Sequence, residues 1–396
     1  MAGMDCDVLI VGGGVGGLSL ALSLAARGRV PLVLERAGKL SQVGAGLQLP
    51  PNAMRVYSAL GLAQTLRSLA FAPKALEARL GRSGRRIFRV GLDGGPWGEA
   101  YLHIHRADLI STLAQALEAR APGCLRLGAE VVDFDDVGEK VAVTLADGSR
   151  LEGAALIGAD GLGSFVRSKL FGAETPRFTG NVAWRAVVER AALGALAPPP
   201  TACVWMGPGR HAVTYRLRDG EACNFVGVVE TDNWQEEGWH HEGDRKTALE
   251  DFKGWHPTVR ALIREAPVLH RWALLDRDPL DTWSRGRVGL LGDAAHPVPP
   301  FFAQGAAMAA EDAWVLAREL CEGGVESAFA RYARQRQGRT ARVLRESRAN
   351  ARTFHRANAV SQLATYGPMW VAGHVAPGLV RKRLDWLYGH DVTDAP

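Results

Sequence analysis

The chain has 396 residues, 47% of them hydrophobic, which is enough apolar material for a large core shared by two or three lobes. Its formal charge of +5 comes mainly from arginines scattered among acids, which fits an anionic cofactor or an acidic substrate and argues against a nucleic-acid-binding stripe. Cys6, Cys124, Cys203, Cys223 and Cys321 show no CxxC spacing or scaffold density, so a reduced, cytoplasmic setting is expected, and no window is apolar for long enough to span a bilayer.

In chain order, Asp7 to Val11 is a short buried-strand pattern followed by a glycine cluster. Val15 to about Arg27 is an Ala/Leu-rich helix that Gly28 is placed to end. Val30 to Glu35 supplies the next strand and completes a βαβ unit. Pro50-Pro51-Asn52 opens a helix, since proline is tolerated at a first turn. Lys74 to Val90 alternates around Gly81 to Gly84 and predicts a hairpin. Arg106 to Arg120 is helical, with Leu109, Leu113 and Leu117 on one face. Val131 to Leu156 reads as strands joined by turns at Asp136 to Glu139 and at Asp147-Gly148. Asn181 to Glu230 is a second β-rich stretch holding the loop Pro198-Pro199-Pro200, and Arg287 to Leu291 is a short strand. Beyond Gln304 the pattern is helical to about Asn358, and mixed helix and loop close the chain. The expected fold class is α/β, α+β overall: a nucleotide-binding lobe, a β-rich lobe inserted into it in two pieces, and a helical C-terminal part.

Gly12-Gly13-Gly14-Val15-Gly16-Gly17 satisfies G-x-G-x-x-G between that first strand and helix. Gly12 permits the tight turn, Gly14 lets the backbone approach a pyrophosphate, and Gly17 lets helix and strand pack closely. The helix N-terminus then offers free N–H groups to phosphates. Glu35 ends the second strand, where a carboxylate accepts from ribose hydroxyls, and Arg36 follows it. A purely structural glycine turn would leave that acid a coincidence.

Two later motifs pair a strand with an acid: Ala159-Asp160-Gly161-Leu162-Gly163-Ser164 and Gly292-Asp293-Ala294-Ala295-His296-Pro297. With them stand the segment 44–52, which carries Gln48, and His105-Arg106-Ala107-Asp108. On these motifs, in this order along nearly the whole chain, the protein resembles the group A flavoprotein aromatic hydroxylases, the family of para-hydroxybenzoate hydroxylase. It is most similar in look to the branch of salicylate 1-hydroxylase and 3-hydroxybenzoate 6-hydroxylase. The resemblance implies a Rossmann-like FAD-binding domain with an inserted β-sheet substrate domain. The predicted division is 1–70, 101–178 and 280–325 for FAD, 71–100 and 179–279 for substrate, and 326–396 for a C-terminal helical region. It also implies FAD as cofactor, NADH or NADPH as reductant with NADH favoured, and a monomer or homodimer. Glu35 would hold the FAD ribose, Arg106 would sit by the phosphate or ribitol, Asp160 would serve both FAD and nicotinamide, and Asp293 would bind the ribityl chain. Gln48 belongs to the same cofactor set. The bland alternatives are a surface arginine at 106 and turn-forming acids at 160 and 293.

The implied chemistry is hydroxylation of a small phenolic or heteroaromatic ring, expected to carry a carboxylate, in which reduced flavin and O2 give a C4a-hydroperoxide that must be kept dry. Pro297 to Met308 suits this: prolines stiffen the backbone, Phe301 and Phe302 can wall a pocket, and the amides of Gly305 and Ala306 open a helix toward the flavin carbonyl. The family places its proline-rich loop over the flavin ring, which falls here on Pro299 and Pro300. A phenol reacts faster as phenolate, so a base is expected. His211 is the candidate, with Tyr215 on the same strand face because their spacing is even. Spacing alone favours a structural pair, and the resemblance reverses this, since the branch carries a similar His and Tyr at its substrate. The branch has proline after that Tyr, whereas this chain has Arg216. His296 is a competing base, and Arg185 and Arg210 are candidates for a substrate carboxylate. No HExxH, clustered metal ligands or serine nucleophile elbow is present, and the halogenase W-x-W-x-I-P is absent. Other readings are a hydroxylase or epoxidase of a more hydrophobic substrate, such as a quinone precursor, and a non-catalytic flavin-binding protein.

Overall fold

The computed structural model describes residues 6–40, 46–232 and 242–394, so Gly44 and Ala45 of the 44–52 segment lie outside the described residues. Cys6–Val11 lies between Pro31–Glu35 and Arg150–Gly158, parallel to both. Val8 to Ile10 are fully or nearly fully buried, as expected of a parallel strand covered on both faces. This sheet has eight strands and continues through Val288–Leu290 on one side and Leu125–Leu127 on the other. The helices Val15–Ala25, Arg106–Arg120 and Gly305–Glu322 contribute to the same core.

The second sheet has seven strands. Arg177–Glu189, Ala222–Glu230, Arg210–Leu217 and Ala202–Gly207 follow one another in antiparallel pairs, with His270–Asp276 on one edge. The predicted hairpin, Ala75–Leu80 with Arg86–Gly91, joins the other edge by pairing in parallel with Ala202–Gly207. One face of this sheet packs on the helix Pro257–Arg264. The opposite face meets Phe301 of the proline-rich loop through Ala183, Val226, Val228, Trp272 and Leu274.

The C-terminal part departs from expectation. After the 30-residue helix Val325–Phe354, two further helices, Ala359–Val375 and Pro377–Tyr388, replace the mixed helix and loop. Asn358 and Ser361 form a capping box at the first, and Pro377 sits in the first turn of the second. The breaker Pro368 is absorbed within a helix held against the hairpin, where Gly373 lies so close to Phe88 that a Cβ would collide with it. Among the described residues no helix is long and apolar enough to cross a membrane.

Candidate functional site

The glycine turn has the geometry its motif requires. Gly12 adopts φ +109°, and a Cβ there would stand 2.5 Å from the Ala159 carbonyl oxygen. A Cβ on Gly17 would run into the Gly12 carbonyl oxygen, so helix and strand touch there. Gly14 differs: nothing lies within 4 Å of its Cβ direction. No side chain among the described residues caps the helix that follows, so its first amides are left for an anion. Glu35 accepts from Gly13 N at 2.7 Å and from Ala37 N at 2.9 Å, which places its carboxylate at the rim of the turn with Arg36 exposed beside it.

A second helix presents a similar end to the same region. Gly305–Glu322 also starts without a side-chain cap among the described residues, and its Gly305 neighbours Asp293 Oδ1. Asp293 is exposed by surface area, yet enough protein surrounds it that burial pushes its carboxyl up, opposed by His296 and Arg106. An acid open to solvent but walled by protein sits on the floor of a cleft. Arg106, exposed at the first turn of its helix, acts electrostatically on both Asp293 and Arg185. Among the described residues it makes no hydrogen bond or ion pair of its own. Gln48 lies on Gly46–Leu49 and accepts from the Tyr101 hydroxyl at 2.5 Å. Open space at Gly14, two uncapped helix ends, and an acid on a cleft floor fit an extended, phosphate-bearing dinucleotide.

Asp160 is differently engaged. Its carboxylate accepts from Ser164 Oγ at 2.5 Å and from Val166 N at 3.2 Å, so both oxygens serve the turn into the helix Phe165–Phe171. Burial raises its pKa and these bonds oppose the rise. The geometry matches the turn-forming alternative for this residue.

The sheet face brings His211, Tyr215 and Arg185 together. His211 and Tyr215 are both buried on it, and His211 lies edge-on to Phe301, with ring centroids 5.5 Å apart. Burial, and His355 beside it, hold His211 well below the usual histidine range, so it does not titrate near neutrality as its residue type suggests. Burial likewise raises Tyr215, with Arg185 opposing the rise. Arg185 stacks over Trp272 at 4.7 Å, its Nε is buried without a partner, and among the described residues its guanidinium makes no hydrogen bond. Arg210, by contrast, bonds Pro208 O at the hairpin end. Arg216 points to the other face and donates to Pro198 O at 2.9 Å, so this departure from the family pattern leaves the pocket face unaltered.

The proline-rich loop is anchored from outside. Ser347 Oγ donates to Pro299 O at 2.7 Å and Asn350 donates to Phe301 O at 3.3 Å, both from the long helix. Phe301 turns to the sheet while Phe302 packs toward Trp386, and Ala303 closes the loop in the left-handed region at φ +51°. His296 Nε2 is 2.6 Å from Asp312 Oδ2, and Asp312 accepts from Arg336 Nε at 2.7 Å. A cavity of about 230 Å³ is lined by His296, Trp283, Gln337 and Thr340, with none of His211, Tyr215 and Arg185 in its wall. The polar groups of the sheet face thus lie apart from that cavity.

One participant was invisible to sequence reasoning. His355 lies 144 positions from His211 and bonds its Nδ1 through Nε2 at 2.6 Å. No local spacing announces such a pair.

The fold and the glycine turn together define a dinucleotide-binding protein. A family model described as FAD binding domain matches residues 5–347. The 3-hydroxybenzoate 6-hydroxylase 1 of Aquipseudomonas alcaligenes is 36% identical over 99% of this chain and 99% of its own. The 6-hydroxynicotinate 3-monooxygenase of Pseudomonas fluorescens is 36% identical over 98% of this chain and 96% of its own. A salicylate hydroxylase solved as a substrate complex superposes with a TM-score of 0.81 at 27% identity, covering 98% of this chain and 96% of that one. The chain belongs to this FAD-dependent monooxygenase family.

Proposed function

We propose that the protein hydroxylates a small phenolic or heteroaromatic ring bearing a carboxylate, with O2 and NADH or NADPH as co-substrates and NADH preferred. The observation that carries this reading is Arg185, a guanidinium stacked on Trp272 that has no hydrogen-bond acceptor among the described residues and lies on the same sheet face as His211 and Tyr215. Desolvating a cation without an acceptor is costly, and a ligand carboxylate offers the two parallel bonds that a guanidinium fits. The relatives' names, a hydroxybenzoate and a hydroxynicotinate enzyme, support that chemistry.

When bound, FAD supplies electron transfer from the nicotinamide and the activation of oxygen. Gly12, Gly14 and Gly17 would shape the pyrophosphate turn, Glu35 and Arg36 would take the ribose end, and Asp293 would take the ribityl hydroxyls. Arg106 and Gln48 would flank the cofactor, and the amides of Gly305 and Ala306 at the uncapped helix start would be available to negative charge on the flavin. Asp160 holds the turn beside them. Pro299 and Phe301 keep water from the reacting ring, His211 accepts the phenolic proton, and Tyr215 orients the oxygen that loses it. The division into FAD, substrate and C-terminal regions expected from the sequence belongs to the same proposal.

The test is a panel of salicylate, hydroxybenzoates, 6-hydroxynicotinate and anthranilate, each beside its analogue lacking the carboxylate. Product and peroxide per NADH would be scored for each. Carboxylated phenols are expected to accelerate NADH oxidation, and Arg185→Gln to weaken their binding by about one to two decades, the loss of a charged hydrogen bond. Equal stimulation by phenol and its carboxylated analogues overturns the assignment of Arg185.

A further inference from the structure

A proton taken from a buried phenol needs a way out, because a protonated, fully buried imidazole is penalised by desolvation. His211 has such a way. Its Nδ1 is 2.6 Å from His355 Nε2, and His355 Nδ1 is 2.8 Å from Glu230 Oε1. The two histidine side chains are buried, while the Glu230 side chain is 56% exposed. Phe301 and Phe354 flank the His211 ring, so the line passes through an apolar wall.

Elementary chemistry fixes the direction of these bonds. An ionised carboxylate only accepts, so His355 donates from Nδ1 to Glu230. A neutral His355 then presents Nε2 as an acceptor, and His211 donates to it from Nδ1. His211 Nε2 is thereby left as an acceptor, and it has no partner among the described residues. Burial, the first cause in both cases, keeps the two rings neutral; Arg210 near His355 adds to this, while Glu230 works against it. The His355 backbone is itself fixed, donating to Ala351 O and accepting from Gly209 N.

We propose that His211, His355 and Glu230 form a proton relay between the pocket face and solvent, an inference that rests on the phenolic reading above. The phenol O–H breaks as His211 Nε2–H forms. His211 Nδ1–H breaks as His355 Nε2–H forms, and His355 Nδ1–H breaks as the proton passes to Glu230 and then to water. The reverse sequence returns a proton to the product phenolate and restores both tautomers. His355 and Glu230 touch no substrate and act through His211, so they are positioning residues.

The test uses flavin-loaded protein. Imidazole 15N shifts should show His211 and His355 both protonated at Nδ1, and His211 protonated at Nε2 instead would overturn the relay. Proton release on mixing with 3-hydroxybenzoate and with 6-hydroxynicotinate, read with an indicator dye, should slow by about 10²-fold or more in His355→Phe. In Glu230→Gln the slowing should be smaller, since water reaches that position. Release at the wild-type rate in both variants overturns the relay, and if His355→Phe does not fold, Glu230→Gln decides alone. If wild-type protein binds either acid without releasing a proton, the phenolic reading fails and the relay with it. Rapid release in wild type and in both variants leaves that reading intact and removes only the relay.

Discussion

Two buried histidines, His296 beside the cofactor cleft and His211 on the sheet face, are each hydrogen-bonded to a second group, and the lines they begin end very differently. From His296 the line runs through Asp312 to Arg336, and Glu311 and Arg339 extend it, with each of the two buried carboxylates met by an arginine in the interior. From His211 it runs through a second neutral ring to an acid in water. Charge compensated on the spot holds parts still, whereas neutral groups leading to solvent let a proton move. The loop 297–303 connects the regions, since it begins after His296 and carries Phe301 to the edge of His211.

The largest effect should come from breaking the closed network. Arg336→Met takes the guanidinium away from buried Asp312 and leaves buried Glu311 with Arg339 alone, and about 3–5 kcal/mol of stability should be lost in a urea titration. A loss below about 1 kcal/mol would mean that the network is not a staple.

The pH dependence of unfolding separates the two regions. Burial alone would raise Glu311, but Arg336 and Arg339 outweigh it and bring its pKa from the ordinary 4.5 to about 2. Its contribution is therefore present above about pH 4.5 and is lost as the pH falls toward 2. His211 also has a depressed folded pKa, so the unfolded chain binds its proton first and stability declines once the pH drops below about 6.5. His211→Ala should flatten the upper window and Arg336→Met the lower one. A change in the same window for both variants would erase the distinction.

Asp293→Ala should weaken FAD binding by about one to two decades, from the roughly 1–3 kcal/mol lost with a buried hydrogen bond. Titration identical to wild type would reduce Asp293 to a turn residue and remove the cofactor from the His296 side of the comparison. The smallest effect belongs to Ala303→Gly. Relief of a left-handed residue, roughly 1–2 kcal/mol, is partly offset by glycine's extra entropy of roughly 0.5–1 kcal/mol, so a gain of about 0–1.5 kcal/mol is expected in thermal unfolding. A clear destabilisation would show that Ala303 is not strained.

The regions also differ in how far they could be read beforehand. The glycine turn, Glu35 and the helix at Arg106 are local patterns of main-chain requirement, and each sits where a short window places it. The shared face of His211 and Tyr215 follows from strand periodicity alone. What periodicity does not carry is partnership across the chain. Nothing near His211 points to His355, nothing near Arg336 points to Asp312, and the isolated arginine at 185 gains its meaning from Trp272 and Tyr215, which reach it from other strands. The titration behaviour expected of a histidine also failed at His211, because burial is decided by the assembled sheet and not by the residue.

The parallel seam between Ala75–Leu80 and Ala202–Gly207 has a consequence for how the protein is made. During synthesis the hairpin emerges more than a hundred residues before the strand that completes its inner edge, so the nascent chain carries an unsatisfied ribbon through much of translation. Such long-range pairing is slow to close. Arg79, Arg82, Arg85, Arg86 and Arg89 put five like charges on that ribbon, and charges so placed oppose the pairing of one unsatisfied ribbon with another.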